Sequence, residues 1–568
     1  MTRSNSLEQF VHTPRIAYFS MEIGLRSEIP TYSGGLGVLA GDTLRSAADL
    51  KIPLVGVTLI SRQGHFRQVL DVSGRQSELP EPWQPEHWAV PLPAKISVPV
   101  ADRDVWVQAW LYVLTGSSGY EIPVLLLDTD LPENAPADRR ITDQLYGDGA
   151  EYRLTQEIVL GIGGARTLQA LDFHVHTYHM NEGHSALLAL ELLRRGKHRP
   201  ERQDPLGEVS DVAQVREQCL FTTHTPIEAG HDQFDYGLAD RLMARFISPS
   251  ELRRLAGNQR LNMTRLALRL SGYVNGVAKT HAEVSQQMFP EYHVHAITNG
   301  VHPGTWTAQP LQRLFDQRIP GWRYEPDLLV RADQIPANEI WEAHSLAKLQ
   351  LIESVRERCG IVLDAQTATL GFARRMTAYK RPDLLFSDLH RLRRIAERWP
   401  IQIVMAGKAH PKDVAGKALI ERIFQMKQEL SGMITLVFLP NYDMQLGHLL
   451  TSGVDVWLNT PLRPLEASGT SGMKAALNGV PNLSVLDGWW TEGCIEGVTG
   501  WAVGNSGAEA NGQDADALYT QLEDNVLPLY YTDRAGWVRV MLGAIAKNGY
   551  FFNSHRMMRR YATAAYIR

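Results

Sequence analysis

The sequence predicts an α/β protein made of two doubly wound, Rossmann-like lobes facing a central cleft. Three observations carry this reading. Short apolar runs alternate with longer amphipathic stretches, the pattern of strand–helix units with largely parallel sheet. The chain has 568 residues, more than one ordinary core accommodates. A segment rich in Pro, Gly and polar residues, around 302–326, divides the series in two.

In the first half, "RIAYFS", "PLVGVTLI", "PVLLLDTD" and "QCLFTTHT" read as strands, being short, apolar and bounded by polar or turn residues. Helices are expected from about 152 to 171 and, after "HMNEGH", from about 185 to 195. A long helix over about 338–357 opens the second half. There "TATLGFAR" is a strand leading to a helix near 382–397, and "IQIVMAG" a strand leading to a helix near 413–430. "ITLVFLP" precedes a helix near 444–452, "VDVWLNT" is a further strand, and "PNLSVLDG" begins the next unit. In such a fold ligands lie beyond the C-terminal ends of the strands. The final "NSHRMMRRYATAAYI" starts with an Asn/Ser cap pattern and reads as a terminal helix. The expected division is 1–310 for the first lobe, 311–535 for the second, and 536–568 for helices that pack back on the first.

Composition narrows the function classes. Hydrophobic residues make up 44% and charged residues 21%, the balance of a soluble globular protein. A net charge of -5 points to neither a nucleic-acid nor a membrane partner. The three cysteines, Cys219, Cys359 and Cys494, form neither a disulfide framework nor a zinc spacing. No apolar run reaches the roughly 18 residues of a membrane helix, and the N-terminus lacks the apolar core of a signal peptide. A cytoplasmic location is the expectation; the oligomeric state, a homo-oligomer included, stays open.

Two motifs stand at strand ends. "GFARRMTAYKRP" places Arg374, Arg375, Lys380 and Arg381 close together with no acidic residue among them, which reads as an unpaired cationic loop for an oxyanion. "EASGTSGMKAALNG" is a run of small residues opening a short helix that carries one lysine, Lys474. Such a helix start exposes free amides and the positive end of the dipole. A lysine there is unfavourable, so its amine is expected to have another task.

"TYSGGLGVLAGD" resembles a dinucleotide fingerprint, but no strand precedes it and no acid lies between Asp49 and Asp71. It reads instead as a glycine wall whose amides approach an anion or sugar. "FHVHTYHMNEGH" brings His174, His176, His179 and His184 together without a trusted metal spacing; no metal is expected, and His184 is placed on the cleft. His224, at another strand end, either contacts substrate or satisfies a turn. No P-loop motif is present.

Together these segments resemble the α-glucan (glycogen, starch, maltodextrin) phosphorylases of the shorter prokaryotic type. "EASGTSGMKAALNG" resembles the family's pyridoxal phosphate-lysine segment, "RRMTAYKR" its phosphate segment, "YSGGLGVLAGD" its glycine loop and "TNGVHPGTW" its interlobe segment. They run in family order from about residue 15 to 560. The resemblance implies a glycosyltransferase B-type architecture and retaining phosphorolysis of α-1,4-glucans by inorganic phosphate, giving α-D-glucose 1-phosphate. It implies pyridoxal 5'-phosphate on Lys474, acting through its phosphate group as a proton shuttle.

By the same resemblance, Gly469, Thr470, Arg374, Tyr442 and Trp306 hold the cofactor, and Arg375 and Lys380 hold the substrate phosphate, with Gly34, Gly35 and Leu36 across the cleft. His224, Asn299, Tyr379, Glu466, Ser468 and Gly469 match positions that hold the glucosyl hydroxyls, and His184, placed on the cleft, is expected to join them on the substrate side. Thr377 and Asp443 depart from the best-known members, which carry histidine and arginine there, so the local phosphate network must differ. The alternatives are a nucleotide-sugar glycogen or starch synthase and a catalytically silent glucan-binding protein. The synthases have a lysine before the paired glycines, where this chain has Thr31, Tyr32 and Ser33.

Overall fold

The computed structural model describes residues 7–13, 15–197 and 207–567. Two sheets organise it. The first has nine strands in the order His295–Ala296, Tyr273–Gly276, Cys219–Thr222, Thr177–Asn181, Ile16–Ser20, Leu54–Leu59, Glu121–Asp128, Arg103–Thr115, Val90–Val100. The first seven are parallel; the last two form an antiparallel hairpin at one edge. Sequence reading passed over that hairpin, although "DVWVQAWLYVLT" alternates with period two as a half-covered edge strand should. The expected helix over 152–171 runs as Ala150–Ile158 and Gly164–Ala170, joined by a wider π turn at Val159–Gly163.

The second sheet has six parallel strands: Ala368–Ala373, Ile401–Ala406, Thr435–Leu439, Val456–Asn459, Asn482–Val485 and Gly500–Val503. Numbered along the chain, their spatial order is 3-2-1-4-5-6, the doubly wound arrangement. Its order reverses between Ala368–Ala373 and Val456–Asn459. The cationic segment leaves the first of these strands, and the Lys474 segment follows the second. In the first sheet the order reverses between Ile16–Ser20 and Thr177–Asn181, whose ends deliver Glu22, Glu182 and His184.

Each sheet has its own apolar core, with the long helix Ala337–Cys359 covering the second. A buried Asp455, holding Lys348 Nζ at 2.6 Å and His344 Nε2 at 3.0 Å, ties that helix to the sheet. Helix Arg534–Gly543 and the turn after it bury Trp537, Met541 and Ile545 in the second core. Helix Ser554–Tyr561, capped by Asn553, then crosses over and packs Met557, Met558 and Tyr561 on the first lobe. Ser554 Oγ meets Ser46 Oγ at 2.6 Å, and Tyr566 Oη meets His179 Nδ1 at 2.8 Å. Among the described residues no helix is long and apolar enough to cross a membrane.

Candidate active site

The strand ends of both lobes face one cavity of about 630 Å³. Its walls include all of the sequence-derived candidates: Gly34, Gly35, Leu36, His184, His224, Asn299 and Trp306 from the first half, and Arg374, Arg375, Tyr379, Lys380, Tyr442, Glu466, Ser468, Gly469, Thr470 and Lys474 from the second.

Helix Thr470–Leu477 starts from Gly469, whose φ of +87° explains the glycine at that position. Lys474 lies within this helix and is 6% exposed. Its Nζ sits 3.5 Å above the Trp306 ring and, among the described residues, makes no hydrogen bond or ion pair. Burial pushes its ammonium down to about 8, with Asp42 opposing that shift and Arg45 adding to it. The Trp306 plane is itself held, since its Nε1 donates to Asp42 Oδ2 at 2.7 Å. Asn478 closes the arrangement by donating to the carbonyls of Trp306 and Lys474 at 2.7 and 2.9 Å.

The cationic segment differs from the expected unpaired loop. Glu466 Oε2 accepts from Arg374 Nη2 and from Lys380 Nζ, both at 2.6 Å. Asp514 pairs with Arg381. The acids are absent from the local sequence because they come from strand ends and a helix more than eighty residues away. Glu466 is buried, which alone would raise its carboxyl, yet Arg374 and Lys380 bring it down to about 2. Arg375 is the exposed member of the cluster, and among the described residues it has no ion pair. It reaches toward the glycine wall, since a Cβ built on Gly34 would lie 3.3 Å from Arg375 Nη2.

That wall also differs from its expected form. The amides of Ser33 and Gly34 donate to Glu22 Oε2 at 2.6 and 3.0 Å, and Tyr146 Oη donates to Glu22 Oε1 at 2.7 Å. Two of the amides assigned to an outside anion are thus satisfied internally, leaving the first helical residues, Gly35 and Leu36, to face the cavity. Glu22 was missed by sequence reading, although it lies just beyond the end of strand Ile16–Ser20, the position where site residues are expected. Lys408, just beyond strand Ile401–Ala406, carried the same signal.

His184 and His224 are neutral near pH 7, burial pushing both down to about 3. His224 Nε2 lies 2.6 Å from Asn181 Oδ1, and its amide donates to Glu182 at 2.8 Å. His184 Nε2 lies 3.5 Å from Asp232. His179, by contrast, is used up in the core between Tyr566 and Thr222. Asp443, one of the two departures noted from the sequence, caps helix Met444–Gly453 by accepting from Leu446 N at 2.7 Å.

The cavity keeps polar atoms without protein partners. Arg374 Nη1, Ser468 Oγ, Asn299 Oδ1 and His184 Nδ1 are buried and unbonded among the described residues. Buried polar groups are ordinarily satisfied, so these mark positions for a polar ligand. An uncapped helix start at Thr470, lining the same cavity as Arg374 and carrying a buried amine of lowered basicity, fits a phosphorylated aldehyde cofactor.

Residues 240–495 match the family model described as carbohydrate phosphorylase. The chain is 39% identical to the maltodextrin phosphorylase of Thermococcus litoralis, aligned over 97% of this chain and 70% of that protein. It is 36% identical to the glycogen phosphorylase of Aquifex aeolicus, over 100% of this chain and 88% of that protein. For the glycogen phosphorylase of Mycobacterium tuberculosis the identity is 37%, over 97% and 70%. With both lobes and the cavity between them inside these alignments, the chain belongs to the carbohydrate phosphorylase family.

Proposed function

We propose that this protein is a glycosyltransferase that cleaves α-1,4-glucans with inorganic phosphate, releasing α-D-glucose 1-phosphate with retention, and that Lys474 carries pyridoxal 5'-phosphate. The observation supporting this most directly is the placement of a buried lysine of lowered basicity within one cavity with Arg374, Arg375 and Lys380.

The residues divide the work. Arg374 and the amides at Thr470 would hold the phosphate of bound pyridoxal phosphate, and Tyr442 and Trp306 would complete its pocket. Arg375, with Lys380, binds the substrate phosphate across from Gly34, Gly35 and Leu36. Two phosphates can lie together only where cations and a helix dipole offset their repulsion. When bound, pyridoxal phosphate supplies an acid–base group next to the substrate phosphate. Ser468, Gly469, Asn299, His184, His224, Tyr379 and the backbone around Glu466 hold the glucosyl unit. The neutral histidines donate or accept hydrogen bonds to sugar hydroxyls without adding charge. A cleft closed by both lobes excludes water, which would otherwise compete with phosphate. We read residues 1–310 as the glucan-side lobe, 311–535 as the cofactor- and phosphate-side lobe, and 536–568 as helices linking the two.

The test is direct. The purified protein should absorb in the near ultraviolet as a pyridoxal protein and release glucose 1-phosphate from maltodextrin only with phosphate. Lys474→Ala should lose both properties while keeping its circular dichroism. Retention of pyridoxal phosphate and activity by that variant would overturn the assignment.

A further inference from the structure

Outside the cavity, one element of the first lobe reaches the second in an unusually polar way. The hairpin Arg67–Leu70 and Gln76–Leu79 leaves the first lobe and lies against the strand ends of the second. Its two glutamines, Gln68 and Gln76, are 3% and 5% exposed. Gln68 Nε2 donates to the carbonyls of Gly407 and, across the hairpin, to Gln76 Oε1, at 2.9 and 2.8 Å. Gln68 and Asn441 bond reciprocally: Gln68 N donates to Asn441 Oδ1 at 3.1 Å, and Asn441 N donates to Gln68 Oε1 at 2.8 Å. Gln76 does the same with Ala409, its Nε2 donating to Ala409 O at 2.8 Å and its Oε1 accepting from Ala409 N at 3.0 Å. Lys408 Nζ donates back to Phe66 O at 2.9 Å.

These partners adjoin the cationic segment. Met376 N donates to Lys408 O at 3.0 Å, and Arg374 N to Ala406 O at 3.2 Å. Gly407 packs so closely that a Cβ there would lie 2.0 Å from Arg374 O, a contact open to glycine alone. Asn441 directly precedes Tyr442 on the cavity wall. A loop buried between lobes must satisfy its backbone groups, and here the other lobe does it. Neither glutamine lines the cavity.

We infer that Gln68 and Gln76 are positioning residues for phosphorolysis, through which the first-lobe hairpin holds the 407–409 turn, and with it Arg374 and Arg375, in phosphate-binding geometry when the cleft is closed. This rests on reading Arg374 as a ligand of the cofactor's phosphate and Arg375 as a ligand of the substrate phosphate. Each glutamine replaced by alanine leaves buried backbone groups of the turn unpaired and lets the arginine segment shift.

The experiment compares the full-length parent with Gln68→Ala, Gln76→Ala, Asn441→Ala and Arg375→Ala. Glucose 1-phosphate formation is followed against phosphate and against maltoheptaose, together with amide hydrogen exchange at Ala409 and Met376. The expected result for either glutamine variant is a phosphate KM raised about tenfold, because each loses at least three side-chain hydrogen bonds and only part of that loss reaches the arginine segment. The maltoheptaose KM should stay near the parent value, and the two amides should exchange faster. Gln68→Ala and Asn441→Ala remove different bonds of the reciprocal pair, Asn441 N to Gln68 Oε1 and Gln68 N to Asn441 Oδ1, so the combined variant should raise the phosphate KM further than either alone. Equal increases in both KM values, or parent-like phosphate KM and exchange, would overturn the inference while Arg375→Ala still reports a phosphate site. If Arg375→Ala leaves phosphate use unchanged, the site reading fails and the hairpin's role falls with it.

Discussion

Replacing Glu466 with glutamine tests the electrostatics of the site at its centre. In the structure its carboxylate is held by two cations at 2.6 Å, and its carboxyl titrates at about 2 instead of the 4.5 of an unperturbed glutamate. The difference corresponds to about 3 kcal/mol of folding stability, within the range measured for breaking buried pairs. Because the folded value lies below the unfolded one, this contribution is complete above about pH 5 and disappears as pH falls toward 2. Glu466→Gln keeps the side-chain shape but removes the negative charge that Arg374 and Lys380 share. In phosphate-free buffer at pH 7 the variant should therefore unfold at lower urea, by about 3 kcal/mol. Phosphate should restore most of that, since an anion at a hundred times its dissociation constant contributes about 2.7 kcal/mol. It should stabilise the variant more than the parent, in which Glu466 competes for the same cations. Urea unfolding with and without phosphate decides the matter. A variant as stable as the parent without phosphate, or one that phosphate stabilises no more than the parent, would refute the reasoning.

Arg375→Ala and Lys380→Ala should both weaken phosphate use, by roughly ten- to a hundredfold, the worth of a charge-assisted hydrogen bond. They should differ in stability, because Arg375 is exposed whereas Lys380 is buried against Glu466; equal unfolding midpoints in the two variants would contradict that ion pair. Protein stripped of cofactor should take up pyridoxal phosphate, followed by absorbance, at a rate that climbs as pH rises through about 8, where the buried Lys474 ammonium loses its proton. A midpoint near 10.5 would place that amine in solvent.

Most of the local structure is legible in the order of the amino acids. Strand–loop–helix alternation in the second half reproduces strands Ala368–Ala373, Ile401–Ala406, Thr435–Leu439, Val456–Asn459 and Asn482–Val485, because buried parallel strands must be short and apolar while covering helices are amphipathic. The small-residue run before Lys474 and the Asn553 cap were equally legible, since a helix start depends on the few residues that form it. How charge is balanced depends on contacts between segments far apart in the chain. Arg374 and Lys380 appear unpaired in their own segment, yet Glu466 neutralises both from 92 and 86 residues away. The glycine wall appears open to an anion, yet Glu22 already holds the amides of Ser33 and Gly34. Periodicity and capping report a residue's neighbours in the chain, whereas the partner of a buried charge or amide is whichever distant segment the fold brings within about 3 Å.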